Sequence, residues 1–189
     1  MRLSNPQDSP GSPGPPPTPR ARRRSDPSVV TIRPASLVDA GVVVRFRLEL
    51  LGEHSRHPIY GRVRDDARER ASRSVPLRLA SGREITYLAF EGKTPIGMLR
   101  CLESKGSPLL NPAKFAYIAS AYVVRTHRRR GILKRLVEAA VTWARARGLT
   151  EVRLHSVPEN AAANAAWESV GFQTVELLRR RDINRPRGT

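Results

Sequence analysis

Cysteine is almost absent: the chain of 189 residues has one, Cys101. A lone thiol excludes an internal disulfide and thiolate-rich zinc sites, and the apolar, strand-like context of Cys101 marks a structural thiol rather than a nucleophile. Histidine is scarce as well. The four present are scattered without HExxH or similar spacing, so no metal is implied. Aromatic residues make up 5% of the chain, too few to interleave with basic residues as a stacking platform for single-stranded nucleic acid. No apolar run approaches the ~18–20 residues needed to cross a bilayer. The N-terminus carries charge but lacks the apolar stretch of a secretory signal. These two absences point to a soluble cytoplasmic protein with no membrane partner.

Acidic residues are also in deficit. Seventeen Asp and Glu face 34 Lys and Arg, for a net charge of +17 and an isoelectric point near 11.5. Such a balance attracts polyanions or phosphate-bearing ligands and says nothing about fold. Residues 1–27, rich in Pro, Ser, Gly and Arg, have too little to bury and are expected to be a disordered tail. Five arginines there oppose Asp8 and Asp26, and five in the C-terminal run oppose Asp182. The excess is therefore shared by the region between. One domain is expected over 28–179, with a basic tail at 180–189. Oligomeric state, monomer or homodimer, cannot be read from the chain.

The folded region opens with a β-branched strand, Val29–Ala35. Ser36 and Asp39 then have capping-box spacing, ahead of a helix over 37–51 with Val42, Val43, Phe46, Leu50 and Leu51 at helical period. A polar second helix is expected over 61–80, broken near Pro76. Two strands follow, joined as a hairpin across Glu91–Pro95 with Gly92 in the turn. After a Pro/Gly loop come a strand at Phe115–Val124, a helix over 131–147 ended by Gly148, and a strand at Thr150–Val157. A short helix over Asn160–Val170 and a last strand at Phe172–Leu178 complete the pattern. The order β-α-α-β-β-β-α-β-α-β defines an α/β fold: a mixed, mostly antiparallel central sheet with helices on both faces.

Chemistry concentrates in "VVRTHRRRGILKRLVEAAVTWARARG". A strand ends at Val123 and Val124, Arg128-Arg129-Arg130-Gly131 make a turn, and a helix starts at once. Its apolar stripe is Ile132, Leu133, Leu136, Val137, Ala140, Val141 and Ala144. Such a junction aims unpaired backbone N–H groups and the positive end of the helix dipole at one point, where phosphate oxygens bind well. Gly131 lets that backbone approach a ligand with no Cβ in the way.

With "ENAAANAAWESVGF" about thirty residues downstream, the R-x-x-G at 128–131 resembles the GCN5-related N-acetyltransferase (GNAT) family. There a Q/R-x-x-G-x-G/A turn holds the pyrophosphate of coenzyme A, and an N-x-x-A-x-x-x-Y-x-x-x-G-F stretch forms the short helix and its exit. The resemblance covers about 29–178. It implies an N-acyltransferase, most simply one moving acetyl from acetyl-CoA to a primary amine by direct attack. Backbone N–H groups from Arg129 through Arg130, Gly131 and Ile132 to Leu133 would then cradle the pyrophosphate, with Arg128 heading the motif. Val123 and Val124 would pair with the pantetheine arm, the strand at 150–157 would splay to admit the acyl group, and Asn160 would bond the cofactor near its pantetheine end. Asn160 equally suits a helix N-cap.

Three departures stand out. Leu133 occupies a Gly/Ala position, where it either narrows the approach or turns into the core. Trp167 replaces a tyrosine that often protonates the departing thiolate; indole cannot serve as that acid, leaving Trp167 to line the cofactor pocket or pack in the core. Ala119 and Ser120 stand where many relatives carry a carboxylate. Ser120, Tyr122 and Glu103 are the catalytic candidates, and Tyr117 and His155 are candidates by location. These losses keep a second reading open, a non-catalytic acetyl-CoA binder. A third is a basic protein associating nonspecifically with nucleic acid through its tails. The amine acceptor cannot be read.

Overall fold

The computed structural model describes residues 29–183. The tail expected at 1–27 and most of that at 180–189 lie outside the described residues. Eleven elements follow one another: β1 (Val30–Pro34), a 3-10 turn (Leu37–Asp39), α1 (Ala40–Glu53), α2 (Ala67–Leu79), β2 (Glu84–Glu91), β3 (Thr94–Lys105), β4 (Lys114–Val123), a second 3-10 turn (Arg125–His127), α3 (Ile132–Arg145), β5 (Val152–Leu154) and α4 (Ala161–Glu168). The five strands lie in sequence order in one sheet. The first four pair antiparallel, and β5 returns through α3 to lie parallel to β4.

Both faces of the sheet are covered, as the mixed pattern predicts. On one face Ile132, Leu136, Ala140 and Trp143 of α3 pack on Leu99, Cys101, Ala116 and Ile118. On the other, Val43, Val44 and Phe46 of α1 and Val75 of α2 pack on Leu88, Met98 and Tyr122. Ile118 and Tyr122 share parity on β4 yet face opposite ways. The cause is a β-bulge: Arg100 pairs with Ser120 but Cys101 with Ile118, leaving Ala119 without a partner. An extra residue bends a strand and reverses the facing of all that follows.

The start of α1 shows its chemistry locally. The Asp39 carboxylate accepts the Ser36 N–H at 2.9 Å and a bidentate Arg33 guanidinium at 2.8 Å. The Arg33 hydrogen bonds hold Asp39 well below the usual carboxylate range, against the opposing effect of burial.

Two expectations are corrected. Pro76 does not break the second helix, which runs on to Leu79. Its missing N–H costs only the bond to the carbonyl of exposed Ser72, and Ala80 still donates to Pro76 O at 3.1 Å. The last strand at Phe172–Leu178 does not form, and Val175, Leu177 and Leu178 are exposed. The bulge carries the β4 edge away after Ile118, so β5 pairs over only Ala116–Ile118 and shrinks to Val152–Leu154. Three residues offer too short an edge to hold a sixth strand.

Candidate active site

The junction between β4 and α3 is built by backbone conformation. Arg129 has φ 60° and Gly131 φ 72°, so two left-handed residues within three positions curl the chain before α3 begins. No backbone N–H from Arg129 to Lys134 has a partner among the described residues, and the first capping bond of α3 is Arg135 N–H to Gly131 O at 3.2 Å. Successive donors on a curled chain at a helix N-terminus make an anion-binding concavity. A Cβ on Gly131 would meet nothing within 4 Å, so glycine is required there by its φ of 72° rather than by crowding.

The sequence reading gave the pyrophosphate to the backbone N–H groups of this turn and left the partners of its arginine side chains open. Three of those side chains, on Arg125, Arg128 and Arg130, are tied to the protein, and that of Arg129 has no partner among the described residues. Arg128 donates to Glu53 Oε1 at 2.6 Å and to Val123 O at 2.9 Å, and Arg125 donates to the same Glu53 oxygen at 2.9 Å. Arg130 reaches Glu91 Oε1 at 2.6 Å, with His127 on the other oxygen at 3.2 Å. Burial opposes ionisation of Glu53, but the hydrogen bonds from Arg125 and Arg128 outweigh it and hold its carboxyl below the ordinary value. Glu53 and Glu91 thus clamp the turn to α1 and β2. Leu133 turns inward and packs on the α3-side core, leaving its N–H at the concavity.

Gly97 was also missed. It lies opposite Val123 in the ladder, and a Cβ there would stand 3.0 Å from Tyr122 O and 3.6 Å from Ile132. Its signal was a glycine inside a strand, which often marks a close approach.

Beyond Ile118, β5 no longer covers β4. From Ala119 to Val123 the β4 edge facing β5 has no strand partner among the described residues. Asn160 caps α4, its Oδ1 accepting the Ala163 N–H at 3.0 Å. Trp167 sits edge-on to Phe172 at 5.5 Å and packs against the α3-side core.

The catalytic candidates divide. Ser120 and Tyr122, with Arg100, follow the bulge onto the α1 side. Buried Ser120 donates to its own neighbour, Ala119 O, at 2.7 Å. Tyr122 packs on Phe46 at 5.3 Å, and burial together with Glu49 and Glu53 pushes its hydroxyl pKa up. Glu103 does not join them. It is paired with Lys114 at 2.7 Å, with Arg83 and Arg147 alongside, and Arg147 follows the end of α3. What the structure does bring together is Tyr117 and His155, with the hydroxyl 2.7 Å from Nδ1, at the point where β4 and β5 part. Burial pushes Tyr117 up, and Tyr60 from the α1–α2 loop is close enough to add to the effect. Buried Cys101 is pushed up to about 11, which suits a packed thiol.

Comparison with known proteins gives the class. Residues 53–172 match the model of the acetyltransferase (GNAT) family, and the chain belongs to it. It is 33% identical over 103 residues to N-alpha-acetyltransferase 30 of Saccharomyces cerevisiae, covering 53% of this chain and 58% of that protein. It is 39% identical over 64 residues to aminoglycoside N(6')-acetyltransferase type 1 of Klebsiella aerogenes, covering 34% of this chain and 42% of that one. The chain thus spans about half the length of these relatives. The fold is shared with a solved aminoglycoside N-acetyltransferase in complex with CoA, at TM-score 0.69 and 17% identity over 85% of this chain and 98% of the other.

Proposed function

We propose that the protein is an acyl-CoA-dependent N-acyltransferase that moves acetyl to a primary amine. The observation carrying this reading is the run of unpartnered N–H groups from Arg129 to Lys134, opening beside the uncovered edge of β4. The run suits a pyrophosphate, and the edge from Ala119 to Val123, which has no strand partner although side chains of Ser120 and Arg128 donate to the carbonyls of Ala119 and Val123, suits the amide groups of a pantetheine arm. Asn160 is already committed as a cap through Oδ1 and keeps its amide nitrogen for the cofactor. Bound acetyl-CoA would supply the acyl group: the acceptor nitrogen forms a C–N bond with the thioester carbonyl, the C–S bond breaks, and the thiolate gains a proton as the nitrogen loses one.

The chain's part is to position and to handle those protons. Holding amine and thioester together contributes several kcal/mol, about 7–11 in well-oriented cases. Ser120 has its hydroxyl engaged by Ala119 O and Tyr122 is buried against Phe46, so the Tyr117–His155 pair is assigned the proton traffic. A phenol hydrogen-bonded to an imidazole can pass a proton to a thiolate and take another from the ring. A cytoplasmic location, and nonspecific polyanion association through the basic termini, belong to the same reading.

The lack of a carboxylate at Ala119 or Ser120 favours one other reading, a protein that binds acetyl-CoA without turnover. The test is release of free CoA thiol in the presence of an amine panel, run beside acetyl-CoA calorimetry. Binding with amine-dependent thiol release supports the transferase. Binding without release from any amine supports the sensor, and no binding overturns both.

A further inference from the structure

Between α1, α2 and the connecting loop lies a cavity of about 340 Å³, lined among others by Arg47, Arg62, Arg70, Arg78, Tyr60 and Ser74. That size is at the low end for small-molecule sites. Not all of its cations are free. Arg70 is held by Asp66 at 2.7 Å, as is Arg64 at 3.1 Å, and Arg62 by Asp182 at 3.3 Å. Arg47 and Arg78 have no ion pair or hydrogen bond among the described residues, and one guanidinium nitrogen of Arg47 is fully buried with no partner. Glu84, the carboxylate that acts on Arg47, is not free to pair with it, being engaged by Arg100 at 2.5 Å. Burial, with Arg100 and Arg78 close by, weakens the hold of Arg47 on its proton, and Glu84 opposes this only in part.

An orphaned guanidinium inside a cavity whose nearby carboxylates are spent leaves a local excess of positive charge. Such charge in a cleft is costly to hide and is relieved by an oxyanion, which arginine takes in bidentate fashion. The cavity also reaches toward the proposed chemistry: Tyr60 on its wall is close enough to Tyr117, the partner of His155, to help push that hydroxyl up.

We propose that this cavity is the acceptor site and that the acceptor is a small amine which also carries an oxyanion, a carboxylate or a phosphate, gripped by Arg47 and Arg78. The proposal rests on the transferase reading and deepens it. It separates this chain from its aminoglycoside-acetylating relatives, because a polycationic amine would meet an uncompensated arginine cluster of the same sign.

The test uses the full-length protein saturated with CoA, so that the proposed cradle is filled. It is titrated by calorimetry with O-phosphoethanolamine, β-alanine and ethanolamine, in wild type and in Arg47→Met and Arg78→Gln. Binding of either anion-bearing amine, ethanolamine binding at least about tenfold more weakly, and about tenfold loss in both variants is the expected result. Whether the phosphate or the carboxylate compound binds decides the oxyanion. Binding of none of the three, equal binding of all three, or binding that survives both substitutions overturns the inference. CoA saturation itself reports on the cradle: failure to bind CoA overturns the proposed function, whereas CoA binding without anion selectivity overturns only the acceptor site. Arg78, at the rim, keeps the test valid if Arg47→Met does not fold.

Discussion

Two arginine-rich regions lie on this protein, and they solve opposite problems. In the turn before α3 the arginines face two carboxylates, and Arg125, Arg128 and Arg130 are spent on Glu53 and Glu91. There those three side chains hold the backbone in shape, and what remains for a ligand among the described residues is the run of unpaired N–H groups and the Arg129 side chain. In the α1–α2 cavity the carboxylates are spent on other partners, and Arg47 and Arg78 are left over. There the side chains themselves are what a ligand would meet. Counting arginines does not distinguish the two regions; counting the carboxylates that face them does.

The largest effect that could break this contrast is at the turn. Gly131→Glu forces a side chain onto a left-handed residue and puts negative charge at the donors. Acetyl-CoA affinity should fall at least about 100-fold by calorimetry, near 3 kcal/mol. Next comes a pair of opposite signs. Arg47→Met removes a buried, unpaired cation and should raise the denaturant-unfolding free energy of the ligand-free protein by about 2 kcal/mol. Arg128→Met instead leaves Glu53 with Arg125 alone and should lower it by about 1 kcal/mol. If both substitutions moved stability in the same direction, the two regions would not differ as described.

The clamp also carries a pH signature. The folded value of Glu53 is depressed below an unfolded value of about 4.3, so its stabilisation is complete above that pH and is lost as pH falls through the folded value. The stability gap between wild type and Glu53→Gln should therefore be open at neutral pH and narrow below about pH 4. A gap independent of pH would contradict a charged clamp. The smallest effect is expected at Arg130, whose guanidinium is held by Glu91. Arg130→Gln should weaken acetyl-CoA by no more than about threefold in the same calorimetry, as befits a partly exposed, already paired charge.

The readability of the sequence follows the same division. The α3 stripe from Ile132 to Ala144, the Gly92 hairpin and the Gly131 turn were all legible, because each is set by residues a few positions apart. The bulge at Ala119 was not, because it exists only against β3. The missing strand at Phe172–Leu178 depends on that bulge, which shortens β5. Pro76 looked like a helix breaker because its cost depends on whether the freed carbonyl is exposed. At the site, the glycine and the helix start were visible, but the partners of the arginines were not. Glu53 lies 75 residues from Arg128, and Glu91 lies 39 from Arg130. The cavity draws on two helices and a loop, and no local pattern records it. Tyr117 and His155 were legible only as neighbours of the gap, and their hydrogen bond is a product of the parallel pairing of β4 and β5.

The central claim is that backbone amides, held by arginine–glutamate clamps, receive the cofactor. The most direct measurement is an amide ¹H–¹⁵N NMR titration of the protein with CoA. The account predicts that the resonances of Arg129 to Lys134 undergo the largest shifts and gain protection from solvent exchange. Shifts confined to other regions, with those six amides unmoved while CoA binds, would contradict it.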